Sequence, residues 1–199
     1  MSIIKNKTEL LFHSFDHSNK EDIFYDLTLS EFKKLIYDLS KELNPNKITL
    51  TFDDGYFSII PAIKYANLLG FKTKAYIITS KINFRGYLSE ADIVGLHKIG
   101  TNIGSHSHSH IDLSKLNQQK LIYELKHSKF LLSKIIGKEI TELSVPFGNY
   151  SKNVLKTCFD FYQFVAISKP YLKSEKKLIP RLSIHKSNHE KILFIKSVL

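Results

Sequence analysis

The sequence predicts an α/β domain with a mainly parallel sheet, and three observations lead there. Short apolar runs alternate with amphipathic stretches along the whole chain, the pattern of strands interleaved with helices. At 199 residues the chain can bury one real core and leaves no room for a second domain of typical size, so residues 1–199 read as one domain. The side chains able to do chemistry fall just after predicted strands, where parallel α/β sheets assemble their sites. Six or seven such units suit a closed or partly closed barrel.

The elements follow in order. Glu9 to His13 reads as a strand. Ser30 is a suitable N-cap for a helix through Leu43, with Phe32, Leu35, Ile36, Leu39 and Leu43 on one face. Lys47 to Phe52 reads as a buried strand. Pro61 to Leu69 reads as a helix opened by proline and closed by Gly70. A strand over Lys74 to Thr79, a helix over Ser89 to Lys98 and a strand over Thr101 to Ser105 come next. Ser114 to Ile136 is a long helix ending at Gly137. Strands at Leu143 to Val145 and Phe164 to Ile167 flank a helix from Ser151 to Phe159. A last helix is expected from His189 to Val198.

Composition narrows the chemistry. Cys158 is the one cysteine, which rules out a disulfide framework and a cysteine-rich zinc site. A transition metal would need histidine and carboxylate ligands. Met1 to Leu11 carries Lys5, Lys7 and Glu9 and has no apolar stretch suited to a signal peptide, so a cytoplasmic location is expected. No segment approaches the length of a transmembrane span. The net charge is +10, and Lys169 to Leu199 holds eight Lys or Arg against two Glu. Such a surface is either simply solvated or suited to an anionic partner such as an acidic glycan, a nucleotide-linked sugar or a lipid head group. No nucleic-acid-binding module accompanies it, and no nucleic-acid partner is expected.

Two segments carry chemistry. Thr51-Phe52-Asp53-Asp54-Gly55 ends a strand with adjacent carboxylates, which repel unless a cation or proton relieves them. Neighbours on an extended chain point apart, so one can bind a metal while the other faces a reacting water. The bland alternative is a polar turn. The second segment, Gly104-Ser105-His106-Ser107-His108-Ser109-His110, places three histidines in five positions. A helical turn would bring His106 and His110 together, four apart on one face. An extended chain would put His106, His108 and His110 on one side. Spacing alone leaves both arrangements open.

Taken in order, TFDDG, then SHSHSH followed by Asp112 and Leu113, then VPFGNY, resemble the polysaccharide deacetylase family, which includes chitin, chitooligosaccharide and peptidoglycan deacetylases. The likeness runs from about Glu9 to about Arg181. It implies a distorted (β/α) barrel of about seven units. By that resemblance Asp53 is the catalytic base, while Asp54, His106 and His110 are metal ligands. His108 then falls on a free position, and Ser107 supports the loop by hydrogen bonding. Pro146 and Phe147 belong to the third motif, where Phe147 lines the pocket and its amide helps bind an oxyanion. The family's arginine in that motif is replaced here by Ser144, and Arg181 is the candidate to supply the charge instead. The usual Leu-x-His acid has no clean match. His13 matches a histidine near the first strand of some members, and His185 lies offset from the expected pattern. The aspartate-tryptophan element is absent, as the chain has no tryptophan.

The resemblance therefore implies a hydrolase that removes N-acetyl groups from an amino sugar, giving acetate and a free amine. The divalent metal is expected to be zinc, with cobalt, nickel or iron as substitutes. The substrate is an N-acetylated carbohydrate, and the basic charge would suit an anionic or carrier-linked one. Two rival readings use the same residues. One is an amide or formamide hydrolase acting on a small or lipid-linked metabolite. The other is an impaired, glycan-binding relative, suggested by the arginine missing at Ser144.

Overall fold

A computed structural model describes residues 8–16, 25–168 and 177–186. Seven parallel strands close into a barrel in chain order: β1 (Thr8–Phe12), β2 (Ile48–Phe52), β3 (Lys72–Ile77), β4 (Asn102–Ser105), β5 (Glu142–Ser144), β6 (Phe164–Ile167) and β7 (Leu178–Ser183). Between them run α1 (Leu29–Glu42), α2 (Ile59–Leu68), α3 (Glu90–Lys98), α4 (Gln118–Ile136) and α5 (Lys152–Phe161). β1 closes the ring by pairing β2 on one side and β7 on the other. The ring is thinnest between β4 and β5, where Ser105 and Leu143 form the one paired position.

Several element boundaries differ from the sequence reading, each for a local reason. Thr28, not Ser30, caps α1, because Glu31 three residues later completes a reciprocal capping box with it. α2 begins at Ile59, before Pro61, since a proline in the first turn removes an N–H that has no helical partner anyway. Ser114 lies inside a short 3₁₀ turn, Leu113–Lys115, capped by Asp112, and α4 begins after the Asn117 cap. Gly137 ends α4 in the left-handed conformation, as expected. The strand β7 is an addition: Pro180 inside it weakens any strand signal. The expected helix at His189 to Val198 lies outside the described residues.

Strand alternation sorts the side chains into two environments. Leu10, Phe12, Leu50, Phe52, Ala75, Ile77, Leu143, Val165 and Ile167 belong to the apolar core that joins sheet to helices. There Phe12 meets Phe32 of α1 edge-on, with ring centroids 5.0 Å apart. The alternate positions, among them Glu9, Thr51, Lys74, Tyr76, Glu142, Ser144 and Arg181, form a polar interior held by mutual hydrogen bonds and ion pairs. Arg181 is the largest fully buried side chain. A buried charge of this kind costs several kcal/mol unless it is paired, so its partners mark where the polar interior does its work.

Candidate metal centre and active site

The site lies at the carboxyl ends of the strands. Asp53 continues the inward-facing series Thr49 and Thr51 past the end of β2, and both its carboxylate oxygens are gripped by Arg181, at 2.7 Å from Nη1 and 2.8 Å from Nη2. Ser144, on β5, donates to Asp53 Oδ2 at 2.8 Å and accepts from Arg181 Nη2 at 2.7 Å. Thr51 Oγ1 accepts from Arg181 Nη1 at 3.2 Å. Burial opposes ionisation of Asp53, but the guanidinium overrides it and holds the carboxyl well below the usual carboxylate range. The group is thus a fixed carboxylate at neutral pH, able to accept a proton.

Asp54 follows with φ 70°, a left-handed turn that swings its side chain away from that of Asp53. Its Oδ1 lies 3.4 Å from His106 Nε2 and 3.4 Å from His110 Nε2. The three ligand atoms lie within 4.8 Å of one another. Asp54 Oδ1 is buried and has no hydrogen-bond partner. His106 Nδ1 sits 2.8 Å from the Ser144 carbonyl, which can only accept, so Nδ1 carries a proton and Nε2 is the nitrogen turned to Asp54; burial opposes a charge on this ring, but the Asp53 and Asp54 carboxylates outweigh it and raise its pKa. Burial, helped by the neighbouring His106, pushes His110 down to about 4, leaving a neutral imidazole at working pH. One orphaned carboxylate oxygen facing two imidazole nitrogens fits a divalent cation of the zinc class, which would take the place of any proton on them.

Neither simple backbone form describes the histidine segment. Ser107 and His110 both have positive φ, 62° and 55°, so the chain folds back on itself after β4. Ser107 Oγ accepts from the His110 amide at 3.1 Å, and that closes the turn. His106 and His110 converge, while His108 turns to Thr79 Oγ1 at 2.8 Å and packs on His127 and Tyr123. Phe147 also has a positive φ, 58°. Its exposed ring lies against His110, with centroids 4.6 Å apart, and Pro146 beside it is buried. Strained non-glycine conformations gather at sites whose geometry is set by function rather than by local preference.

Of the two candidate acids, His13 stands just past β1, half-buried, with a buried Nδ1 that lacks a partner. His185 stands past β7 and is separated from His13 by Tyr25, whose ring centroid is 4.5 Å from His13 and 6.1 Å from His185. Cys158 takes no part: burial pushes its thiol up to about 12.

The geometry now has a family context. The polysaccharide deacetylase profile matches residues 40–160, which contain both the paired aspartates and the histidine segment. The chain belongs to the polysaccharide deacetylase family. It is 35% identical over 113 residues to a chitin deacetylase of Arthroderma benhamiae, an overlap covering 55% of this chain and 30% of that protein. It is 28% identical over 121 residues to YxkH of Bacillus subtilis, named for the same family, covering 59% of this chain and 43% of the relative. The overlaps span less than half the length of these two relatives. In fold, the barrel superposes on a polysaccharide deacetylase from Bacillus cereus with TM-score 0.82 and 24% identity, over 96% of this chain and 68% of that one.

Within this family member, three residues in the site were not singled out by sequence. Tyr25 bridges the two candidate acids. Ser144, noted only as the place of a missing arginine, ties base to guanidinium. Glu124 of α4 is buried, and its Oε2 accepts from the His108 and Ser109 amides at 2.9 and 2.8 Å. A charged residue on the buried face that Leu121, Leu125, Ser128 and Leu132 share was the available signal for it. Glu124→Ala is expected to loosen the histidine turn and weaken zinc affinity by about tenfold, the lower end for support one step removed from the ligands. Calorimetric zinc titration of the two proteins checks this; equal affinities would show that the turn holds itself.

Proposed function

We propose that this chain is a metal-dependent deacetylase that hydrolyses the N-acetyl group of an amino sugar in a glycan or glycan precursor. The observation that carries the reading is the pair of adjacent carboxylates doing different jobs: Asp54 faces two imidazoles, while Asp53 beside it is held ionised by Arg181. Mere cation binding would not require the second, separately buried carboxylate.

Asp54, His106 and His110 are the residues that would hold the ion. The bound ion would supply Lewis-acid polarisation of the acetyl carbonyl and lower the pKa of a water. Asp53 takes the proton as water attacks the carbonyl carbon. Arg181 and Ser144 keep the Asp53 carboxylate in one orientation through that transfer. The Phe147 amide helps to hold the developing oxyanion. His13 gives its proton to the leaving amine, with His185 behind Tyr25 as the second candidate. The C–N bond breaks, and acetate and the free amino sugar leave. The arginine missing at Ser144 does not argue for an impaired relative, because Arg181 brings a guanidinium to the base from β7 instead.

The test combines metal analysis with acetate release on N-acetylated chitooligosaccharides, peptidoglycan fragments, nucleotide sugars and lipid-linked sugars. Stoichiometric zinc and turnover of at least one sugar are expected. Zinc binding with release only from small non-sugar amides or formamides would favour the metabolite-hydrolase reading. No metal and no turnover would overturn both.

Zinc should also raise the melting temperature of the protein, by mass action on the folded state, and chelation should reverse it. Differential scanning fluorimetry with and without a chelator reads this directly; a melting temperature indifferent to zinc would count against the three-ligand centre.

A further inference from the structure

We infer that Tyr76 is a positioning residue for the catalytic base, acting through Arg181, and that Gly104 is a glycine to make room for it. The inference rests on Asp53 acting as base. Arg181 is fully buried, and its Nη atoms are taken by Asp53, Thr51 and Ser144, while Nε has no hydrogen-bond partner. What covers the guanidinium is the Tyr76 ring, whose centroid is 5.1 Å from Cζ. A ring face against a desolvated guanidinium attracts it electrostatically.

The ring is itself held in place. Tyr76 Oη donates to Glu142 Oε2 at 2.8 Å, and Glu142 is fixed by Lys74 Nζ at 2.8 Å and Asn102 Nδ2 at 2.8 Å. On β4, Gly104 is the register partner of Tyr76. A Cβ at Gly104 would fall 2.5 and 2.6 Å from two carbons of the Tyr76 ring and 3.2 Å from the Glu142 carbonyl oxygen. Gly104 has no positive φ, so space and not backbone conformation calls for glycine here. The line of contact runs from Gly104 to Tyr76, to Arg181, to both oxygens of Asp53. A ring displaced at one end leaves the carboxylate misaligned at the other.

Tyr76→Phe keeps the ring and loses the Glu142 bond; Tyr76→Leu loses the ring face. In crystals of the zinc-loaded variants, the two-point Arg181–Asp53 pairing is expected intact with Phe and broken with Leu. On a sugar that the wild type deacetylates, Tyr76→Leu should lower kcat about 30-fold with KM unchanged, and Tyr76→Phe should retain nearly full kcat. A Leu variant with pairing and kcat intact overturns the inference, as do Phe and Leu variants impaired alike. Gly104→Ala is the second variant should Tyr76→Leu fail to fold; a displaced ring and pairing are expected, and an undisturbed pair overturns the inference. If the wild type releases no acetate from any sugar, the deacetylase reading fails, while the crystallographic arm still decides the role of Tyr76.

Discussion

Asp53→Asn is expected to lower acetate release by about 10²- to 10⁴-fold, the usual contribution of a general base, while the protein still binds zinc. The amide keeps the shape of the carboxylate but cannot take the proton from water. Zinc should stay because the ligands proposed for it are Asp54, His106 and His110, none of which depends on Asp53 for a donor atom. His106→Ala separates the roles, since it removes one of the three proposed ligands and should abolish both zinc binding and turnover. The pair is read by metal analysis of the purified variants alongside an acetate assay. The Asp53 substitution also leaves Arg181 without its counter-charge, so circular dichroism must show the variant folded. An Asp53→Asn variant with wild-type turnover would remove Asp53 from the base role.

Arg181→Met should be strongly destabilising as well as inactivating. It deletes one partner of a buried pair and leaves Asp53 buried at 2% exposure without its cation. Breaking such a pair from one side costs about 3–5 kcal/mol. The pH dependence follows from the sign of the shift. The folded-state pKa of Asp53 is depressed by Arg181, so the pair stabilises the protein above the ordinary carboxylate pKa. That stability is lost as pH falls toward the depressed folded value. Urea unfolding of wild type, Arg181→Met, Asp53→Asn and the double variant at neutral pH gives the coupling. The double variant is expected to be more stable than the two single costs added together predict, because it leaves no unpaired buried charge. Additive losses would mean that the contact contributes nothing specific. Arg181→Lys should fall between wild type and Met, since an ammonium keeps the charge but not the two-point fork.

Much of the site was legible in the sequence because its densest chemistry is local. Asp53 and Asp54 are neighbours and three histidines fall within five positions, so strand position and spacing were enough to nominate the two segments, while the family resemblance picked His106 and His110 from the three. Arg181 and Ser144 were legible only as a question, a motif position without its arginine and an arginine elsewhere. Their meeting depends on β7 closing against β1, a contact between residues far apart in the chain. Glu124, Tyr25 and Tyr76 carried no motif at all, and their partners lie on other elements.

Periodicity, turn chemistry and motif order determined by themselves that this chain alternates strands and helices and carries two aspartates and a histidine cluster at strand ends. They left open whether the histidine segment is helical or extended, and in the structure it is neither. That choice was tertiary: Glu124 holds two amides of the turn, Thr79 draws His108 away, and Asp54 meets the two remaining rings. Barrel closure decided the rest. Spacing along a chain specifies which side chains share a face of one element, whereas the partner of a buried charge is chosen by whichever strand completes the ring.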